Sequence, residues 1–398
     1  MREIVLINVT GEDRPGSTAL LTGILAGHAV QVLDIRQSVI HGAWSLGVLV
    51  QVAGAEQVAL RQEVLALAES LSLRASFTDW SGADYDQWQA AERQPAHIVT
   101  LMGRQLPSAA IARVIELAQQ AGMRLQCIKP LSAPVQATTT LSRACVELTL
   151  HGELADAPAL QGAFLALADE LGVDIGLQAD SRYRCNRRLA VFDMDSTLIE
   201  AEVIDELAKA HGVGERVSHI TERAMRGELD FKASFRERLA LLKGLDISVL
   251  DAIGAQLRLT EGTERLFAEL KRLGYKTAVL SGGFTYFAKQ LQARLGIDYV
   301  FANELEVVNG QCTGVAVEPI VDAQRKADLL QQLAAEEGLS LDQTVAVGDG
   351  ANDLPMLALA GLGVAFRAKP LVRQSAKQAI STLGLDGVLY LLGQPDRP

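Results

Sequence analysis

Leu189-Ala190-Val191-Phe192-Asp193-Met194-Asp195-Ser196-Thr197 is the stretch on which the reading of this chain turns. Four apolar residues running into two carboxylates predict a buried parallel strand that delivers its acids where it opens into a loop. Ligands of open α/β sheets bind outside such carboxyl ends. At the strand-to-loop transition an i, i+2 pair can converge on one site. One carboxylate of the pair can then attack as a nucleophile while its neighbour handles protons. Two solvated loop acids would produce the same D-x-D, so the motif needs company.

Two further segments supply it. Thr277-Ala278-Val279-Leu280-Ser281-Gly282-Gly283 is an apolar strand ending in a hydroxyl and two glycines. Thr344-Val345-Ala346-Val347-Gly348-Asp349-Gly350-Ala351-Asn352-Asp353 is another, ending in Gly-Asp-Gly and a second acid. Between them Lys326 lies in Gln324-Arg325-Lys326-Ala327-Asp328-Leu329-Leu330, which has helical spacing. Strand ends carrying Asp/Asp, Ser/Gly, Lys and Asp/Asp in that order resemble the haloacid dehalogenase superfamily of phosphotransferases, over about residues 187–390. The resemblance implies an α/β fold: a Rossmann-like parallel-sheet core, residues 187–398, with a helical cap.

Asp193, Asp195, Asp349 and Asp353 would crowd four carboxylates into one pocket. Two like charges about 4 Å apart repel by roughly 4 kcal/mol at an effective dielectric near 20. A hard divalent cation relieves this, and oxygen ligands with room for water and phosphate suit Mg²⁺. The resemblance implies Asp193, the main-chain oxygen of Asp195, and Asp349 as its ligands, with Asp353 and Asn352 in support. Asp353 reads equally well as an ordinary acid at a helix N-terminus. The resemblance further implies that Asp193 attacks phosphorus to form an aspartyl-phosphate. Asp195 then acts as general acid and afterwards as base. Ser281 and the N–H of Gly282 grip phosphate oxygens, since glycine allows close backbone approach, and Lys326 supplies a fixed cation. A mutase would share this apparatus.

Residues 200–260 form a helical insertion placed to cap the site. Phe231, Ser234 and Arg238, at i, i+3, i+7, lie along one helix stripe. An arginine on a lid can bind a carboxylate bidentately, and Glu202 can pair with an ammonium, together recognising an α-amino acid that carries phosphate. Ordinary surface pairing of Arg238 and Glu202 is the competing reading. With Asp193 to Glu202, Phe231 to Arg238, Ser281 to Phe284, Lys326 and Gly348 to Asp353 taken together, the sequence resembles the phosphoserine phosphatase family. That implies hydrolysis of O-phospho-L-serine, the last step of serine biosynthesis, with Glu202 and Arg238 orienting the amino and carboxyl groups. Met225 and Phe231 would close the apolar wall of the lid, or equally serve as its core. Val307-Val308-Asn309-Gly310-Gln311 signals a hairpin flap.

The first half carries a weak repeat of strand and helix patterns. Strand 3–10, helix 17–29, strands 30–40 and 45–53, helix 55–71 and strand 73–80 are followed by strand 97–103, helix 107–122, strands 123–131 and 143–151, helix 158–171 and strand 173–180. These are two βαββαβ units of ferredoxin-like order, residues 1–81 and 97–181. Polar residues 81–96 read as a linker, and Arg182 to Arg188 as the passage to the core. Thr10-Gly11-Glu12-Asp13-Arg14-Pro15-Gly16 resembles the opening loop of ACT domains, which bind amino acids at their interfaces. Asp13, Arg14 and Gly16 are thus candidate contacts for a serine effector, although a plain turn and helix start reads as well. The second unit has Gly103-Arg104-Gln105-Leu106-Pro107 instead, which puts effector binding there in doubt. The resemblance also implies a homodimer.

Among 398 residues the net charge is −11, with no basic patch, which argues against nucleic acid as a partner. The four cysteines (Cys127, Cys145, Cys185, Cys312) lack metal-like spacing, and no histidine pair stands at i, i+3 or i, i+4. No apolar segment reaches spanning length, so a cytoplasmic enzyme without a membrane partner is expected. Two alternatives stay open: a phosphatase or phosphotransferase for another small phosphomonoester, and an amino-acid-sensing protein without turnover.

Overall fold

A computed structural model describes residues 2–133, 142–226 and 228–396. The chain divides into two compact units, Met1–Gln94 and Pro95–Pro398. The first runs β1 (Arg2–Glu12), α1 (Ser17–Gly27), β2 (Gln31–Ile40), β3 (Ala43–Ala53), α2 (Gly54–Ser70), β4 (Arg74–Trp80) and α3 (Gly82–Glu92). Its strands form an antiparallel sheet of order β2-β3-β1-β4, the expected ferredoxin-like arrangement. One face of that sheet (Val5, Ile7, Val9, Leu46, Val48, Val50) packs against Leu21 and Leu25 of α1 and Leu60 and Val64 of α2. Residues 81–96, expected to be linker, largely form α3 instead. Ser81 and Asp84 close a capping box there, and no α3 residue is fully buried.

The second unit begins with a like sheet. It contains β5 (Ala96–Gly103), α4 (Ser108–Gln120), β6 (Arg124–Pro130), β7 (Ala144–His151), α5 (Ala157–Leu171) and β8 (Asp174–Ala179), in the order β6-β7-β5-β8. There follow β9 (Leu189–Phe192) and four helices: α6 (Val203–Ala210), α7 (Gly214–Met225), α8 (Phe231–Ala240) and α9 (Val249–Gln256). Then come α10 (Thr263–Arg272), β10 (Lys276–Phe284), α11 (Thr285–Leu295), β11 (Tyr299–Asn303), the hairpin β12 (Leu305–Val308) with β13 (Gln311–Ala316), α12 (Ala323–Glu336), β14 (Thr344–Gly348), α13 (Leu354–Leu359), β15 (Leu362–Phe366) and, past a short helix, β16 (Gln378–Ile380).

The parallel sheet has the order β11-β10-β9-β14-β15-β16. β9 is central, and the chain leaves it toward β10 on one side and β14 on the other. That makes the carboxyl end of β9 a topological switch point. Burial explains the uninterrupted apolar run, because both faces are covered. Val191, Leu280 and Ala346 meet Leu329 and Leu333 of α12 and Met356 of α13. Phe192, Val279 and Val347 meet Leu266, Phe267 and Leu270 of α10 with Phe287 of α11. Each of these Val, Leu, Phe and Met side chains stabilises by roughly 1.5–3 kcal/mol on burial. The hairpin signal also forms as expected, with Asn309 and Gly310 at φ 53° and 78° between β12 and β13. Among the described residues no helix is long and apolar enough to cross a membrane.

Candidate active site

Three strand ends and one helix build the pocket. The register that pairs Phe192 with both Val279 and Val347 brings Asp193, Ser281 and Asp349 to the same end of the sheet. Asp193 N donates to Val347 O at 2.9 Å, which extends the ladder by one residue before the chain turns away. The loop then closes on itself: Leu198 N donates to Met194 O at 2.8 Å, and Ser196 adopts φ 55°. Few non-glycine residues take that left-handed conformation, and strain of this kind gathers at functional sites. Its hydroxyl donates to Glu202 Oε1 at 2.8 Å, so the loop carries the cap glutamate with it.

Lys326 reaches in from α12 with no exposed surface. Its Nζ lies 2.7 Å from Asp193 Oδ1 and 2.7 Å from Asp353 Oδ1. A wholly buried ammonium persists only where partners compensate its desolvation. Here the two carboxylates do so and hold its pKa well above the ordinary lysine range, despite the burial that works against it. Asp193, Asp349 and Asp353 each place a carboxylate oxygen within 4.8 Å of the others. Burial, then the charge of Asp353, pushes Asp193 up to about 8. Burial and Asp353 likewise push Asp349 up to about 7. Asp195 is raised as well, by burial and then by Glu202 and Asp193. One lysine does not neutralise this set, and an acidic, oxygen-lined pocket suits a further hard cation. Both Asp353 oxygens accept hydrogen bonds, from Lys326 and from Gly350 N at 3.0 Å, which suits a bracing position.

The Ser281-Gly282-Gly283 stretch lies within β10, where that strand slips register against β11 between Leu280 and Phe284. Ser281 is fully buried, and its Oγ accepts from Gly283 N at 2.9 Å. A Cβ on Gly282 would stand 2.9 Å from Cζ of Phe231, and one on Gly283 2.7 Å from Cε of Met194. Side chains here would fill the pocket, which is the physical need for both glycines. Asn352 is half-buried in the turn after Asp349.

The cap brings Phe231 and Arg238 toward the same place. Phe231 stacks on Phe235 with centroids 6.3 Å apart, and Phe235 meets Phe284 at 6.0 Å. Arg238 is half-buried, with Nε donating to Ser234 O at 3.4 Å. Burial lowers its pKa against the opposing pull of Asp205, Glu202 and Asp195, so all three acids are close enough to act on it. Met225 ends α7, and its side chain lies outside the described residues. In the first unit Gly16 caps α1 at φ 90°, as only a residue without Cβ does readily. Asp13 N donates to Gly42 O at 2.8 Å, and Arg14 pairs with Glu12 at 3.1 Å on the surface.

Several contributors were not foreseen. Thr197 Oγ1 donates to Asp349 Oδ1 at 3.1 Å, aiming that carboxylate. Asn303 ties down the glycine stretch of β10, donating to Gly282 O at 2.8 Å and accepting from Val321 N at 2.8 Å. Asp205 is the leading electrostatic partner of Arg238. Thr197 stood inside the quoted motif, but nothing near Asn303 marked it.

Residues 190–358 match the haloacid dehalogenase-like hydrolases, and residues 3–78 match the ACT domain. The fold and site thus define a phosphatase of that hydrolase class with an N-terminal ACT domain. The chain is 44% identical over 391 residues to a phosphoserine phosphatase from Streptomyces coelicolor, covering 98% of this chain and 92% of the relative. It is 40% identical over 392 residues to one from Mycobacterium tuberculosis, covering 98% and 93%. Among solved structures it is similar to an unliganded probable phosphoserine phosphatase from Vibrio cholerae, with a TM-score of 0.60 and 36% identity over 76% of this chain and 88% of that one. This chain belongs to the phosphoserine phosphatase family.

Proposed function

We propose that the chain hydrolyses O-phospho-L-serine to L-serine and phosphate, serving serine biosynthesis. The supporting observation is the buried Asp193–Lys326–Asp353 chain at the switch point of the sheet, with Arg238 and Glu202 of the cap close enough to Asp195 to act on one another electrostatically. Asp193 Oδ attacks phosphorus in line, the bond to the serine oxygen breaks, and an aspartyl-phosphate results. Asp195, whose raised pKa lets it hold a proton, protonates the departing alkoxide. It then takes a proton from the water that releases phosphate. Ser281, the Gly282 N–H and Lys326 hold the phosphate oxygens, with Asn352 alongside. Arg238 binds the substrate carboxylate, Glu202 its ammonium, and Phe231 forms the apolar wall.

The acid cluster fits Mg²⁺ held by Asp193, Asp349 and the main-chain oxygen of Asp195, with Asp353 bracing. When bound, the ion supplies positive charge against the phosphate oxygens. We further propose that the first ACT unit binds serine as effector at Asp13, Arg14 and Gly16. Two copies would pair along β2, where Val32, Ile35, Val39 and Ile40 are exposed. Serine inhibition that survives removal of residues 1–94 would rule out that regulatory route. The main test is phosphate release from phosphoserine with and without Mg²⁺, on wild type and Asp193→Asn. Turnover is expected only for wild type with Mg²⁺, and turnover by the variant would overturn the reading.

A further inference from the structure

The two passages that join the cap to the parallel sheet run side by side. Thr260 N donates to Leu198 O at 2.9 Å, Glu200 N donates to Arg258 O at 2.9 Å, and Ile199 bridges Leu259. Rotation of the cap must shear this short ribbon. Glu261 adjoins it, just ahead of α10, and its carboxylate is gripped from the second antiparallel sheet. Arg104, in the loop between β5 and α4, donates Nη1 to Oε1 at 2.7 Å and Nη2 to Oε2 at 2.5 Å. Its Nε donates to Thr382 O at 3.0 Å. Arg367 reaches Oε2 at 3.3 Å, and the Glu261 carbonyl accepts from Leu385 N at 2.7 Å. The 381–382 segment is itself fixed by Asp174 of β8, which accepts from Ser381 N at 2.8 Å, Thr382 N at 2.9 Å and Thr382 Oγ1 at 2.6 Å. The guanidinium therefore sits on a rigid base.

This loop holds the place in its unit that Thr10–Gly16 holds in the first. We propose that Arg104 is a positioning residue for the cap: the second ACT-type unit holds the hinge through Glu261 and so sets how readily the cap closes over the substrate. The inference rests on reading the cap as the lid of a phosphoserine site. A forked guanidinium–carboxylate pair fixes direction as well as distance, which an ammonium does not reproduce. Loosening it lowers the closed fraction. Apparent affinity falls by that fraction, whereas saturating substrate restores closure.

The full-length enzyme tests this by hinge amide exchange and by kinetics on phosphoserine. Arg104→Ala should speed exchange at Glu200 and Thr260 and raise KM, each about two- to fivefold, with kcat within about twofold of wild type. Arg104→Lys should fall between, and it decides the matter if the alanine variant does not fold. Asp169→Asn removes the charge from the Arg373–Asp169 pair, which crosses the same contact without touching the hinge, and should change neither readout. Unchanged hinge exchange in the Arg104 variants, or an equal effect of Asp169→Asn, overturns the proposal. If wild type fails to turn over phosphoserine, the functional reading falls while the exchange data still decide the clamp.

Discussion

The sheet end and the cap solve different problems with the same kinds of side chain. At the sheet end Asp193, Lys326 and Asp353 are nearly or wholly buried and locked by hydrogen bonds from neighbouring strands and turns. On the cap Glu202 is exposed, and Arg238 and Phe231 are half-buried on helices that the hinge ribbon joins to the sheet. Phosphoryl chemistry needs charges placed in advance, out of water, because reorganising them during reaction is costly. Recognition needs groups that reach solvent, meet the substrate and then close. The contrast teaches that losses at the sheet end should strike kcat, with fold stability falling only where a buried charge is left unpaired, and losses on the cap should strike KM.

The largest expected break of this contrast is Asp193→Asn, nearly isosteric, which should lower kcat by at least about a thousandfold while the melting temperature holds. Should stability collapse with activity, Asp193 would be a packing residue. Lys326→Ala comes next, leaving two buried carboxylates uncompensated at an expected cost of about 3–5 kcal/mol in chemical denaturation. Arg238→Ala should raise KM for phosphoserine about ten- to a hundredfold and spare activity on sugar phosphates. An equal loss on both substrates would sink the carboxylate clamp.

The smallest effect concerns pH. In metal-free protein Asp349 keeps its proton up to about 7, well above an unfolded aspartate. The folded state thus binds more protons across that interval, so stability should fall as pH rises from about 4 through about 7. Melting curves in chelator should show the fall, and Asp349→Asn should flatten it. A rise with pH would contradict the assigned environment.

Local signals made the chemistry legible. Each apolar run ended in its reactive residues, and the parallel sheet needed only those runs to be buried together. Contacts between distant segments were not legible. Asn303 braces the β10 glycines from the end of β11, and Arg104 meets Glu261 across 157 positions of chain. Neither carries a periodic or spacing signal. Helix α3 was missed for another reason: it has no fully buried residue, so hydrophobic periodicity was absent, although Ser81 and Asp84 did offer a cap.

The most direct measurement is an acid quench of the enzyme turning over phosphoserine labelled in its phosphate, followed by mapping of the labelled peptide. Label should reside on Asp193 and vanish in Asp193→Asn. Label on another residue, or undiminished turnover in the variant with no labelled protein, would contradict the account.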